Sequence, residues 1–489
     1  MPSPPDDERS PREPGREHAL GAGDSLAIWL LLISAFVVIL NETVMAVALP
    51  KLMHELDITA AAGQWLTAAF LLTMSIVIPI TGMLIRQVRT RALFVTAMSL
   101  FSAGTLLAGV SPNFELLLLG RVIQACGTAI MMPLLMTTVT TVVPKHQRGA
   151  IMGRVAVVIS VAPALGPTLS GVVLQFLSWR WLFFIVLPIA LTVLVLGALR
   201  MPNVGEQRKA RLDPLSVLLT VLGFGGLVYG LSAIGEHASG EGSVPWWIPL
   251  VVGAVGLALF IWRQLALQRE DRALLDLRTF KTPQFAFGVL LFGIFAMALF
   301  GSLILIPIYV QDVLGYDTLA AGLVLLPGGL AMALLGQYVG RRVDRRGARP
   351  VLIPGIVITA LSMWGMALFT DTTPLWQVVV THVLLSIGLA NTFTPLFEVS
   401  LGSLPSDLAS YGSATISTVQ QVSGAAGTAL FVTVMTLGAV SVAGSPEAVD
   451  PHALAAGTRA AFLVGGATAT LSAIVAFFIR DPEEKVESV

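Results

Sequence analysis

Charge is scarce in this chain. Of 489 residues only 12% are Asp, Glu, Lys or Arg, while 55% are hydrophobic and the mean hydropathy is +0.83; a soluble domain carries roughly 25% charged residues. A soluble globular protein is thereby excluded, and nearly all of the chain is expected to sit in lipid. The 29 basic residues equal the 29 acidic ones and are dealt out between apolar runs, so no basic face is available for nucleic acid. Cysteine is almost missing. Cys126 stands alone, which rules out an internal disulfide and any paired-cysteine metal or redox motif, and it reads as a small core residue. A glycine-rich phosphate loop ending in Gly-Lys-Ser or Gly-Lys-Thr is absent, as is a soluble stretch long enough for a nucleotide site, which argues against direct nucleotide drive. Asp, His and metal-ligating residues do not gather at any interface, so a polytopic membrane enzyme is disfavoured and neither cofactor nor metal is expected. Residues 1–24 are polar and rich in proline and charge, with no apolar signal-peptide core, so the first apolar run is expected to stay in the mature protein.

What the chain does have is long apolar runs. Stretches of about 20 apolar residues occur fourteen times, over 26–49, 62–85, 92–110, 114–142, 151–177, 181–199, 213–235, 246–264, 285–310, 319–340, 350–370, 375–400, 412–437 and 460–479. An even number places both ends on one side. All but four of the 29 Lys and Arg residues fall on that side; Lys51, Arg180 and Arg459 occupy the opposite loops and Arg121 lies inside a run. Both termini are therefore expected in the cytoplasm, and the protein is expected to be a multi-pass component of the cell membrane. Eight tryptophans, among them Trp65, Trp179, Trp246 and Trp376, lie near run ends, where amphipathic rings prefer the headgroup level. The segment 265–282, with Leu267, Leu274, Leu275 and Leu277 among charges, is open between an amphipathic stretch along the inner surface and a solvated connector.

Gly82 and Gly340, 258 residues apart, each open a short arginine-rich corner between two apolar runs: G-M-L-I-R-Q-V-R-T-R at the first and G-R-R-V-D-R-R-G-A-R at the second. Internal symmetry of this kind marks transporter folds, whose substrate sites lie between the repeated halves. Since the corner after run 2 recurs after run 10, the fold class is all-α, with fourteen membrane helices in a 6+2+6 plan of two pseudo-symmetric six-helix bundles. The expected division is a polar tail over 1–24, a first bundle over 25–200, two extra helices and a connector over 201–282, a second bundle over 283–480 and a tail over 481–489.

Three motifs resemble the major facilitator superfamily, and within it the fourteen-span drug:proton antiporters of the EmrB/QacA type. The second corner carries Gly340-x-x-x-Asp344-Arg345-x-Gly347-x-Arg349, run 4 carries Gly120-Arg121-x-x-Gln124, and run 5 carries Gly166-Pro167-x-x-Ser170-Gly171. Run 1, I-L-N-E-T-V-M-A-V-A-L-P, resembles the LmrB-like exporters more than relatives with Asp in that segment. The resemblance implies the major facilitator fold and an antiporter that exports hydrophobic, often cationic drugs as protons enter. It implies no enzyme activity. Drugs, protons and membrane lipid are the implied partners, with no nucleotide or nucleic acid, and the protein would function as a monomer. An exporter dedicated to one endogenous metabolite, lipid or antibiotic would use the same machinery. For the corner at 340–349 the implied role is a gate clamp, against that of a simple positive anchor. For Gly166, Pro167 and Gly171 it is a bend that closes one side of the cavity, although close packing alone also explains small residues and a proline there. In the first corner Arg86 and Arg89 replace the aspartate and the glycine, so the two halves should not gate identically.

Glu42 carries the most weight. A charged side chain deep in a bilayer costs about 3 kcal/mol and is found facing a cavity or a partner. Taking Pro50 as the outer end of run 1 places Glu42 about eight residues, or roughly 12 Å, inside, near the depth of Arg121. Burial and a neighbouring arginine pull a carboxyl's proton affinity in opposite directions, so a Glu42–Arg121 pair would couple proton binding to movement, unless it is a static brace. Asn41 and Thr43 are read as local polar helpers, and Gln124, Gln420 and Gln421 as cavity-lining groups in an apolar wall. Glu398 is a candidate second cation or proton site or a helix-end carboxylate. His382 reads as hydrogen-bonded helix glue sooner than as a relay.

Overall fold

The computed structural model describes residues 22–143, 145–203, 213–238, 240, 244–270, 273–405 and 408–476. The tail expected over 1–24 lies outside these up to residue 21, and that over 481–489 does so entirely. Every regular element among the described residues is helical, as a chain in lipid requires, because only internally satisfied backbones can cross hydrocarbon. Fourteen helices among them are long and apolar enough to cross a membrane: Asp24–Thr43, Ala60–Ile85, Thr90–Val110, Phe114–Val139, Val157–Phe176, Trp181–Arg200, Pro214–Ala238, Trp247–Leu267, Pro283–Val313, Thr318–Gly336, Arg349–Met366, Leu375–Gly402, Tyr411–Ala443 and Pro451–Ala476. They are called spans 1 to 14 below.

Two expected ends move. Pro50 lies inside a further helix, Met45–Leu56, that continues span 1 beyond a one-residue break at Val44, so it does not end the span and Glu42 sits beside the break. Span 14 starts at Pro451, not at 460, because Asp450 caps it by accepting the Ala453 N–H at 2.8 Å and proline suits the first helical turn. Arg459, expected in a loop, consequently lies within span 14, and its Nε donates to the Ala367 carbonyl at 3.3 Å.

Spans 1–6 and 9–14 form two bundles, and span 5 packs along span 10 across the division. Glycines permit this: a methyl at Gly171 would lie 2.7 Å from the Thr318 carbonyl, and one at Gly322 would lie 2.6 Å from that of Pro167. On the same side, away from the arginine corners, Gln311 Nε2 donates to Val47 O at 3.2 Å and His54 Nε2 meets Asp312 Oδ1 at 3.6 Å. Toward the basic side, Gly82 and Gly336 have nothing within 4 Å of a Cβ position among the described residues. The bundles are thus in contact on the far side.

Spans 7 and 8 pack through facing glycines, Gly226 on Gly253 and Gly256 on Gly223. Span 7 rests on span 13, where Thr433 Oγ1 donates to Leu231 O at 2.9 Å, and it reaches span 2 through Ser232 Oγ, which accepts from Gln64 Nε2 at 2.8 Å and Trp65 Nε1 at 3.1 Å. The connector after span 8 is neither a continuous amphipathic helix nor a loosely solvated loop. It turns through short 3-10 segments at Gln268–Glu270 and Leu277–Lys281. Leu274 and Leu275 are buried, and their N–H groups donate to Gln264 Oε1 at 2.8 and 3.3 Å.

Candidate functional site

The break in span 1 is where the site forms. The helix Ala22–Thr43 ends one residue after Glu42, and the Thr43 hydroxyl donates back to Leu40 O at 3.1 Å. Gly166 of span 5 presses on this point: a methyl there would run into the Thr43 hydroxyl and come within 3.0 Å of Leu40 O. Glycine is required at 166 for this approach, and the residues singled out in spans 1 and 5 are thereby brought together. Through Gly171 the same stretch of span 5 also touches the second bundle.

Arg121 is fully buried. Its Nη1 donates to Gln124 Oε1 at 2.6 Å and Asn41 Oδ1 at 2.8 Å, its Nε donates to Leu66 O at 3.3 Å, and its guanidinium carbon lies 4.1 Å from the centre of the Phe70 ring. The pair suggested with Glu42 is not formed. Among the described residues no hydrogen bond or ion pair joins Arg121 and Glu42. Asn41, one residue earlier and read as a helper, is the direct partner. It can bond the guanidinium without the cost of desolvating a second charge, which a buried ion pair must overcome.

Two donors remain unused. Arg121 Nη2 and Asn41 Nδ2 are buried without a partner, and an orphaned buried donor costs about 1–3 kcal/mol, more when charged. The half-buried Glu42 beside them is an acceptor when ionised. The arrangement can therefore hold the carboxylate in one state and release it in another.

The remaining candidates fall in three places. Gln421 Nε2 donates to Met74 Sδ at 3.7 Å and its Oε1 has no partner; Met74 packs with Phe70, which links Gln421 to the Arg121 surroundings, while Gln420 is half-buried beside it. Glu398 is exposed near the basic end of span 12, 4.0 Å from a Cβ position at Gly340, and so is placed at the second corner and not at the Glu42 site. His382 is buried against Gly328 of span 10, with its Nδ1 unpartnered. In the corner, Gly347 ends its helix at φ 81°, a conformation that favours glycine; Arg345 and Arg349 are exposed, and the side chain of Asp344 lies outside the described residues. Sequence reasoning missed Phe70 and Thr105. An aromatic and a threonine among many in apolar spans carry no signal of their own; only the three-dimensional neighbourhood of Arg121 selects them. No group of three or more metal-ligating side chains occurs among the described residues.

The sequence pattern of the Major Facilitator Superfamily matches residues 31–428. The lincomycin resistance protein LmrB of Listeria monocytogenes is 39% identical over 453 residues, 92% of this chain and 95% of that protein. An uncharacterized MFS-type transporter of Bacillus subtilis, YcnB, is 40% identical over 463 residues, covering 95% of this chain and 96% of its own. Among solved structures, a bacterial homolog of the human lysosomal transporter Spinster, inward-facing and occupied, superimposes with a TM-score of 0.66 at 14% identity over 94% of this chain and 97% of that one, a likeness of fold.

Proposed function

The chain belongs to the major facilitator superfamily, and from that premise we propose that it exports hydrophobic, often cationic small molecules in exchange for protons. Export of drugs is favoured by the similarity to LmrB. The excess of Lys and Arg on one side supports a cytoplasmic basic face and cytoplasmic termini. In this orientation the far-side contacts close the outer path, and the cleft receives cargo from the cytoplasm or the inner leaflet.

One observation carries the coupling: Glu42 stands without a bond to Arg121 while Arg121 Nη2 and Asn41 Nδ2 have no acceptor. With its proton, Glu42 stays clear of these donors. Once the proton leaves, the carboxylate accepts from them and draws span 1 toward span 4. Because Gly166 is seated on the same turn, that movement reaches span 5 and, through Gly171, the contact with span 10. A cationic cargo in the cleft favours loss of the proton, so cargo and proton alternate. A single charge moved across 100 mV provides about 2.3 kcal/mol, enough for concentrative export without nucleotide. Glu42→Gln keeps the shape and removes the titrating group. In proteoliposomes with an imposed pH gradient, this variant is expected to bind a cationic dye but not to drive its efflux; efflux at the wild-type rate refutes the coupling. Efflux measured over dyes, quaternary ammonium compounds and antibiotics separates a broad exporter from one dedicated to a single product.

A further inference from the structure

Behind Arg121 stands a hydrogen-bond chain with a fixed direction. The Thr105 hydroxyl donates its one proton to Phe101 O at 2.6 Å, one turn earlier on span 3. Toward span 4 it offers only lone pairs, and Gln124 Nε2 donates to it at 2.8 Å. Gln124 must then present its other end, Oε1, to Arg121 Nη1, 2.6 Å away. Turning the amide over would set its NH2 against the guanidinium donors and its oxygen against a hydroxyl whose proton is already committed. The two mismatches would be buried, since Thr105, Gln124 and Arg121 are all fully covered.

Three glycines make this reach possible. Spans 3 and 4 approach so closely that a methyl at Gly104 would lie 2.6 Å from Gly120 O, one at Gly120 2.7 Å from Ala108 N and one at Gly127 2.7 Å from Phe101 N. With the backbones in contact, a hydroxyl as short as that of threonine spans the gap.

We propose that Thr105 is a positioning residue for proton coupling: by fixing which end of Gln124 faces Arg121, it anchors Nη1 and leaves Nη2 as the donor kept for the Glu42 carboxylate. This rests on the coupling reading of Glu42 and Arg121. Thr105 touches neither proton nor cargo and acts only through Gln124.

The test is a mutant cycle in proteoliposomes, with ethidium as the cargo and an imposed pH gradient. Thr105→Val, close in shape but without a hydroxyl, is expected to lower gradient-driven efflux about tenfold, the cost of one orphaned buried amide, while ethidium binding without a gradient is unchanged. Thr105→Ser, which restores the hydroxyl, recovers efflux. In a Gln124→Leu background Thr105→Val costs nothing more, because no amide is left to orient. An additive effect in that background, or failure of serine to rescue, overturns the proposal and makes Thr105 a packing residue. Should Thr105→Val not fold, as read by its thermal unfolding, Thr105→Ala takes its place in the same cycle. Glu42→Gln and Arg121→Ala run alongside: if they transport normally, the coupling reading falls, whereas if they are inactive and Thr105→Val is normal, only the role of Thr105 does.

Discussion

The two six-helix bundles repeat their scaffold but not their charge. A step of 258 residues, the spacing of the arginine corners, leads from Gly166 to Gly424. Both are points of close approach: Gly166 presses on Leu40 and Thr43 of span 1, and Gly424 on the Phe300 ring of span 9. The same step leads from Glu42 to Phe300, from Arg121 to Val379 and from Gln124 to His382. Where Arg121 donates to the Leu66 carbonyl of span 2, His382 packs against Gly328 of span 10 with its Nδ1 unpartnered. Side chains of the fourth helix thus meet the second helix in both bundles, but the first has an acid next to Asn41 and an unsatisfied guanidinium donor. The second offers aromatic surface instead, with Phe292 on Phe393 at 4.8 Å between centroids. The difference teaches that the two halves repeat a glycine-mediated approach of the fifth helix to the first and that the proposed proton chemistry occupies one copy of it.

The comparison breaks most readily at its centre. Arg121→Ala is expected to reduce gradient-driven efflux to the passive leak, whereas Val379→Ala, at the corresponding site, should leave coupling intact and change only how well individual dyes bind. Equal losses from both variants would show that the halves share the work. A smaller effect is expected at the paired glycines. Gly166→Ala meets a backbone carbonyl and a hydroxyl held to its own helix, neither of which can yield. At Gly424 a methyl meets Phe300 at 2.8 Å, and a ring can turn. Gly166→Ala should therefore impair transport and Gly424→Ala should be tolerated, as efflux rates and thermal unfolding of the two proteins would reveal. Smaller still is the contrast between the corners. Gly347→Ala forces an alanine to φ 81°, at about 1–2 kcal/mol, while Arg89, its counterpart, has φ −58°, so Arg89→Ala should alter stability by less than about 0.5 kcal/mol. Denaturation of the purified variants reads both.

Helix number, the 6+2+6 plan and the doubled corner were legible in the sequence because lipid imposes length and apolarity on every span, and a duplicated corner carries its own arginines. Glu42 and Arg121 stood out by the same logic, as charges where charge is expensive. Their relation was not legible. Depth counted from Pro50 assumed that a proline ends a span, yet here it lies inside the helix Met45–Leu56, and sequence spacing does not tell which of Asn41 and Glu42 turns to Arg121 when both lie on one turn. The partners of Arg121 on span 2, and that of Gln124 on span 3, are set by tertiary packing alone. The strap at 273–281 was hidden for another reason: its leucines are buried by hydrogen bonds to Gln264, a polar residue read only as part of an apolar run.

The extra pair of spans has no counterpart in either bundle, and its allegiance sharpens the comparison. Span 7 lies along span 13, and the Phe280 ring of the 273–281 connector meets Phe285 of span 9 at 5.5 Å, so the pair belongs with the second bundle, and among the described residues it touches the first at Gln64, Trp65 and the nearby turns of span 2. Asp213 secures its start. Hydrogen bonds from Arg263 foremost, and from Ser216, hold this carboxyl at about 2, below the usual carboxylate range. A carboxyl depressed by folding stabilises the fold above its unfolded value, about 3.9, and loses that contribution as pH falls through its folded value of about 2. Asp213→Asn should accordingly melt below the wild type at neutral pH, and the gap should narrow as pH is lowered from about 4. Transport by the first bundle's Glu42 should be little affected, because Asp213 fastens a region that rides with the other half. A gap in melting temperature that stays constant down to pH 3 would show that shape, and not ionisation, accounts for the loss.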